Sequence, residues 1–275
     1  MILGIIAVGA LLNAGVNAPL LNASFFQISL DSNTPISKVA RTSSWQFLAT
    51  ACIGPFLAAM AVKYGKRPVF LLSGLFNIIG TAVGESGESY HHLLVARIIQ
   101  GLAIAAYESL NFSIVGDLFF VHQRGLRVSI SNFMVTALSN LAGIISGQVF
   151  QSLGWAWVFH LYQIFLVIHF LLLFFLVPET TFNRDSRYNI DTVEEDILPE
   201  LAQKEQEHVE HVAEIGAGEQ EAEIPKKKTY FQELAVFTGT YTDVNILKLI
   251  LEPFVTMVNP ASLYIGLGSG WVVAW

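Results

Sequence analysis

Seven stretches of the chain are apolar for roughly the length a helix needs to cross a bilayer, and polar positions gather between them. They cover residues 1–21, 43–62, 69–84, 93–115, 128–150, 156–177 and 249–275. A helix rises about 1.5 Å per residue and the hydrocarbon layer is about 30 Å thick, so about 20 apolar residues span it. The third stretch, with 16 residues, is the shortest. Inside lipid each backbone N–H and C=O must be satisfied within the segment or by packed neighbours, so these spans are helices. The predicted fold class is therefore an all-α polytopic membrane protein. The first stretch starts apolar at Met1 with no basic residue ahead of its apolar run, which argues against a cleaved signal peptide.

The connections between spans two and six are short, and their charges alternate. Lys63, Lys66 and Arg67 follow span two, and Arg124 and Arg127 follow span four. Glu85, Glu88, His91 and His92 follow span three, and residues 152–154 after span five are uncharged. The positive-inside rule then puts the 2–3 and 4–5 loops in the cytoplasm, together with the long segment after span six. Lys38 and Arg41, before span two, run against the pattern but are outnumbered.

Composition separates two materials. The mean hydropathy is +0.53 and 13 % of residues are charged, against about 25 % in soluble domains. The net charge of −7 gives no basic face for nucleic acid, and a single cysteine, Cys52, allows neither an intramolecular disulfide nor a multi-cysteine metal site. Residues 178–245 hold 16 of the 22 acidic residues and only 6 of the 15 basic ones. Their Glu- and Gln-rich middle buries too little apolar surface to offset chain entropy, which predicts a largely disordered or loosely helical linker. Lys226, Lys227 and Lys228 near its end suit anionic head groups or a plain solvated charge run. The expected domains are a half-bundle over 1–177, the linker over 178–248 and a seventh helix over 249–275.

Several motifs narrow the class. After span two, Lys63, Gly65, Lys66 and Arg67 match a loop pattern of basic residue, glycine and two further basic residues, with Ala58 standing for an earlier glycine and Val62 for an acidic residue. Span four opens on Arg97, Gln100 and Gly101 and continues through Tyr107 and Glu108 to Asp117, His122 and Arg124. Gly154, Trp155, Trp157 and Phe159 start span six; Pro178, Glu179, Thr180 and Arg184 follow its end. In this order the motifs resemble the major facilitator superfamily, and within it a fungal drug:proton antiporter-like branch with polyamine and histidinol transporters. That resemblance implies a secondary transporter of small organic solutes such as amines or drugs, proton-coupled, working by alternating access in the plasma membrane. Its partners would be the lipid bilayer, the small-molecule substrate and protons. Transporters of this kind hold two six-helix halves with substrate near the midplane between them. The layout here resembles the N-terminal half plus the seventh span, so a truncated chain lacking a second half is expected. The alternatives are a half-transporter that does not transport and acts as a scaffold or regulatory partner, and a half-size transporter working as a homodimer.

Charge inside a span costs roughly 2.5–3.5 kcal/mol at the helix centre, so Arg97 and Glu108 need a reason to be there. Eleven residues apart, close to three turns, they fall on one helical face. One reading has them lining a transport cavity with Gln100, Glu108 taking a proton or cation and Arg97 tuning it. The other has Arg97 snorkelling outward and Glu108 paired to a neighbouring helix. Lys63, Gly65, Lys66, Arg67, Asp117 and Arg124 form the candidate gating loops, in which Asp117 would latch to Lys66 or Arg67 in one conformational state. Asn13 with Asn17, Asn132 with Asn140, and His160, Tyr162, Gln163 and His169 are softer signals, for cavity lining or for interhelical hydrogen bonds. Gly143 and Gly147 predict close helix packing, and Cys52 a small buried residue. The sequon at Asn22 lies on the expected outer side. His208 and His211 in the linker are at most a weak metal site. No phosphate-binding loop, His-Glu-x-x-His or Gly-x-Ser-x-Gly is present, which argues against enzymatic or directly ATP-driven work and predicts no cofactor or metal.

Overall fold

A computed structural model of the chain describes residues 2–17, 19–31, 34–87, 89–119, 121–181, 237, 239–242, 244–260 and 262–264. Five of its helices are long and apolar enough to cross a membrane. The described α-helices are α1 (Ile2–Ala10), α2 (Phe25–Asp31), α3 (Ile36–Tyr64), α4 (Lys66–Glu85), α5 (Tyr90–Leu118), α6 (Val121–Leu153), α7 (Trp155–Leu176) and α8 (Ile246–Met257). Each of α3 to α7 runs past the apolar stretch that predicted it at one or both ends, because polar and charged residues such as Lys63, Lys66 and Tyr90 continue the helix beyond the hydrocarbon boundary.

The first span differs from the continuous helix expected over residues 1–21. After Ala10 the chain widens into a π turn over Leu11–Val16, and a 3-10 helix follows over Pro19–Ser24. Pro19 has no N–H to donate, and Asn13 turns its own amide back onto the Gly9 carbonyl at 2.9 Å. Carbonyls at this break also accept from other helices: the Tyr162 hydroxyl donates to Leu12 O at 2.7 Å, and Arg97 Nη1 donates to Asn17 O at 2.7 Å. Irregular backbone at membrane depth survives only where packed protein re-satisfies it in this way.

Two one-residue turns reverse the chain at opposite ends of the bundle. Gly65 (φ 99°) joins α3 to α4, and Gly154 (φ 89°) joins α6 to α7. A positive φ of this size is strained for any residue with a Cβ. α5 is the most enclosed of the long helices and packs chiefly against α3 and α4. The α4–α5 crossing is close: a Cβ on Gly80 would lie 2.9 Å from Gln100 Cγ, and one on Gly84 would lie 3.3 Å from Ala96 Cβ. Gly101 presses on α3, where an added Cβ would run into the Gln46 carbonyl and lie 2.9 Å from Ala49 Cβ. Without a hydrophobic force between helices in lipid, such small-residue contacts let backbones approach for dispersion.

Two expectations about small residues change. Gly143 meets only Pro19 Cβ, at an ordinary 3.4 Å, so the tight crossings fall at Gly80, Gly84 and Gly101 instead. Cys52 is exposed and not the small buried residue expected. The core lies between α1, α3, α4, α5 and α7, around Ile6, Phe70, Tyr107, Ile114 and Leu173.

The stretch 182–236, with most of the predicted linker, its lysine triplet, His208 and His211, lies outside the described residues, as do 265–275 of the expected seventh span and the side chain of Asn22. The described ends of that stretch converge on one turn. Before it, Glu179 and Thr181 lie at the start of α4; after it, Tyr241 N donates to Lys63 O at 2.9 Å and Phe237 packs on Tyr64 with ring centroids 5.7 Å apart. α8 then packs along α3.

Candidate functional site

Three groups of polar residues stand out. The first is a network through the middle of the bundle. Asn77 on α4 donates to Asn13 Oδ1 at 2.8 Å and to the Tyr162 hydroxyl at 3.0 Å, while Asn17 donates back to Asn77 Oδ1 at 3.2 Å. Arg97 Nη1 on α5 reaches Asn17 Oδ1 at 3.1 Å, Gln46 Oε1 at 3.2 Å and Gln100 Oε1 at 3.5 Å. Gln100 Nε2 donates to Thr81 Oγ1 at 3.2 Å, whose hydroxyl donates to Asn77 O at 2.8 Å. Asn13, Asn17, Gln46, Asn77, Thr81, Arg97 and Gln100 are all at 0 % exposure, so this charge does not snorkel. Its Nε and Nη2 have no hydrogen-bond partner among the described residues. Oxygen dipoles from Asn17 after the π turn, from α3 and from α5 itself surround the cation where an acid would be expected.

The second group lines a cleft of about 240 Å³ between the first span, α5 and α6. Glu108, Asn111 and Asn132 supply its polar wall; Ala10, Ala14 and Gly15 of the broken first helix supply the small one. Asn111 Nδ2 donates to Ser131 Oγ at 3.2 Å, and its Oδ1 is buried without a partner among the described residues. Glu108 is exposed into this space, and neither ion pair found among the described residues involves it. Arg97 and Gln100 thus come together, but Glu108 sits apart from them, about 16 Å from Arg97 and about 12 Å from Gln100 along the α5 axis. Equal helical phase placed the two charges on one stripe; neighbouring helices then closed over Arg97 and left Glu108 open.

The third group is built on the Gly65 turn. The first N–H groups of a helix have no intrahelical acceptor. Here Glu179, more than a hundred residues later, supplies one: Oε1 accepts from Lys66 N at 3.0 Å and Oε2 from Arg67 N at 3.1 Å. Thr181 Oγ1 also accepts from Lys66 N, at 3.1 Å, and Thr181 N donates to Glu179 Oε1 at 2.9 Å. Pro68 has no N–H, so one donor that would need a partner is absent. A Cβ on Gly65 would collide with the Glu179 carboxylate, a second reason for glycine there. Lys66 Nζ forms an ion pair with Asp117 Oδ2, the pairing expected of the gating loops. Arg67 turns the other way, donating from Nη2 to Phe174 O at 2.8 Å. Arg124 closes the end of α5 by donating to Phe119 O at 3.2 Å and Gly116 O at 3.0 Å. Lys63 contributes its backbone carbonyl to Tyr241.

The softer signals divide. Asn13, Asn17 and Tyr162 bond between helices, and His169 Nε2 lies 3.2 Å from Ile5 O, tying α7 to α1. Asn132 faces the cleft, whereas Asn140 is exposed and bonds Thr136 O on its own helix. His160 pairs with Glu85 at the Gly154 end. Gln46, Asn77 and Glu179 escaped the sequence reading as functional residues. The available signal was an isolated amide in an otherwise apolar run for the first two, and a carboxylate just past a span for the third. Among the described residues no three His, Cys, Asp or Glu side chains gather as a metal site.

The sequence model of the Major Facilitator Superfamily matches residues 2–239. An MFS-type transporter of Schizosaccharomyces pombe, described as uncharacterized, is 26 % identical over 256 residues, covering 82 % of this chain and 44 % of that protein. The MFS antiporter QDR3 of Candida albicans is 28 % identical over 54 % of this chain and 22 % of its own length. Multidrug resistance protein 3 of Bacillus subtilis is 31 % identical over 39 % of this chain and 21 % of its own. The chain thus spans less than half the length of these relatives. Among solved structures, the human organic anion transporter MFSD10 (TETRAN) shares the fold with a TM-score of 0.51 at 19 % identity, over 65 % of this chain and 47 % of that one. With a family match over most of its length and an all-helical, membrane-spanning architecture, the chain belongs to the Major Facilitator Superfamily.

Proposed function

We propose that residues 1–177 form one half of a secondary transporter of small organic solutes, amines or drugs among them, that works by alternating access and is driven by protons. The observation that carries this reading is Glu108, an intramembrane carboxylate in a cleft with Asn111 and Asn132 and outside both ion pairs found among the described residues. An ionisable group at membrane depth is expensive, and a water-filled transport path is the usual place where that cost is met. Carboxylate and amide oxygens together suit a protonated amine or a proton.

Arg97, braced by Gln100, holds the first span at Asn17 just past its π turn, so the two transmit movement between helices and do not touch solute directly. The Gly65 turn with Lys63, Lys66, Arg67, Asp117 and Arg124 is the gating element. Breaking the Lys66–Asp117 pair would free α4 from α5 during rocking. The alternating loop charges support a cytoplasmic placement for this turn and for the linker over 178–248; the apolar run from 249 supports a seventh helix, and the likeness to drug antiporters supports residence in the plasma membrane. The relatives named transporters, antiporters and resistance proteins support the solute class.

The test is flux of labelled amines into proteoliposomes that hold the chain together with the second half of the S. pombe relative, with and without a pH gradient. Gradient-driven flux is expected with Glu108 intact and absent with Glu108→Gln, while Asn140→Ala leaves it unchanged. Equal flux with Glu108→Gln, or flux indifferent to the gradient, would overturn the assignment.

A further inference from the structure

A second cavity lies on the same seam between the first span and α6, and none of its residues is shared with the Glu108 cleft. It encloses about 370 Å³ between the π turn, α6 and α7. The two spaces are separated where Gly15 presses on α6; a Cβ there would sit 3.2 Å from both Ser139 Cβ and Val135 O. The volume falls at the small end of the range of about 300–1,000 Å³ found for ligand pockets.

The walls specify the ligand. Leu11, Val16, Leu141, Ile145, Val158 and Phe165 are hydrocarbon or aromatic surface. The polar wall residues are Ser146 and Tyr162, and both hydroxyls are engaged within the protein. Ser146 donates to Gly143 O at 2.8 Å; Tyr162 donates to Leu12 O and accepts from Asn77. No free donor, acceptor or charge on the wall would orient a polar solute, and a polar ligand would forfeit its hydration without return.

The surroundings specify the source. The wall residues Leu141, Ile145 and Phe165 on α6 and α7 are themselves exposed, and Ile144, Ile164 and Ile168 extend this exposed apolar surface on membrane-spanning helices. We infer that this cavity is a lipid site, in which one acyl chain of a bilayer phospholipid inserts from the side between α6 and α7 and packs against the π turn of the first helix. The chain would fill space beside the irregular backbone of the first span, and so support the Leu12 and Asn17 carbonyl contacts from the apolar side.

The full 275-residue chain in phosphatidylcholine nanodiscs whose acyl chains carry a photoactivatable diazirine tests this, with adduct positions read by peptide mass spectrometry. Adducts are expected on Leu141, Ile145, Leu161 and Val16. Ala142→Phe, which projects a ring into the cavity, is expected to lower them about tenfold, a shift of 1.4 kcal/mol in occupancy. Ile144→Phe, on the exposed face outside the cavity, is expected to leave them unchanged. Ser146→Leu serves as a second filling variant in case Ala142→Phe does not fold. Equal labelling in the filling variants and the parent, or adducts spread evenly over Phe133, Ile144 and Ile168, would mean only annular lipid and would overturn the site. Cross-links from these residues to protein in place of lipid would overturn it in favour of a helical partner.

Discussion

Glu179→Ala removes the carboxylate that closes the start of α4. It deletes the acceptor of Arg67 N, and leaves Lys66 N with Thr181 Oγ1 as its remaining partner. A hydrogen bond to a charged group is worth about 1.5–3 kcal/mol, and a negative charge at a helix N-terminus adds about 0.3–1 kcal/mol. Because Thr181 retains one contact and neighbouring terms do not add fully, the expected cost is about 2–3 kcal/mol. Glu179→Gln keeps one oxygen at the amides but loses the charge and the second acceptor, so it should cost about half as much. At about 2–4 °C per kcal/mol for a chain of this size, thermal unfolding in detergent should fall by roughly 5–10 °C for the alanine variant. The same variant should expose the Gly65 turn: with Arg67 N uncapped, amide exchange at Arg67 and Val69 should speed up more than at Phe76 in the middle of α4. Equal midpoints for parent, Gln and Ala variants, or exchange that rises uniformly along α4, would refute the view that this carboxylate caps the helix.

The Lys66–Asp117 pair is mostly shielded from solvent, at 9 % and 22 % side-chain exposure, so it should exceed the 0–1 kcal/mol typical of surface pairs. A double-mutant cycle with Lys66→Met and Asp117→Asn, read by thermal unfolding, is expected to give a coupling of about 1–3 kcal/mol; zero coupling would reduce it to a passive contact. Tyr162→Phe strands the Leu12 carbonyl and one Asn77 donor in the interior, for an expected loss of about 1–3 kcal/mol by the same measurement. Cys52 lies on an exposed face of α3, so a membrane-permeant maleimide should label it in the folded protein in detergent, and protection until unfolding would contradict that placement.

Much of the candidate site could be read from residue types because charge in a hydrocarbon layer is costly wherever it occurs. Arg97 and Glu108 were conspicuous for that reason, and Lys66 with Asp117 because both stand at the same end of their helices. What periodicity does not carry is which neighbour covers a given face. Arg97 and Glu108 share a helical stripe, yet three helices enclose the first and a cleft receives the second. Gly143 looked like a crossing point on spacing alone, but backbone comes close to backbone at Gly80, against Gln100 N and Ala96 O, and at Gly101, against the Gln46 carbonyl. Gln46 and Asn77 were passed over although each is an isolated amide in an apolar run, the signal that marked Asn13 and Asn17; which amides find partners is decided by the helices that meet them.

Length and hydropathy along the chain were sufficient for the helical class, the five long spans α3 to α7 and the acidic character of the intervening segment, because the thickness of a bilayer and the need to satisfy every backbone group leave few alternatives. These are local constraints, paid residue by residue. The break in the first helix, the cap supplied by Glu179 and the separation of Glu108 from Arg97 depend on groups tens to more than a hundred residues apart. The widened turn at Leu12 is braced by the Tyr162 hydroxyl that arrives there from α7, and α4 can begin abruptly at Lys66 because Glu179 meets its amides. Those meetings are properties of the packed bundle, where hydrogen bonds are completed between helices, and no stretch of sequence taken singly contains them.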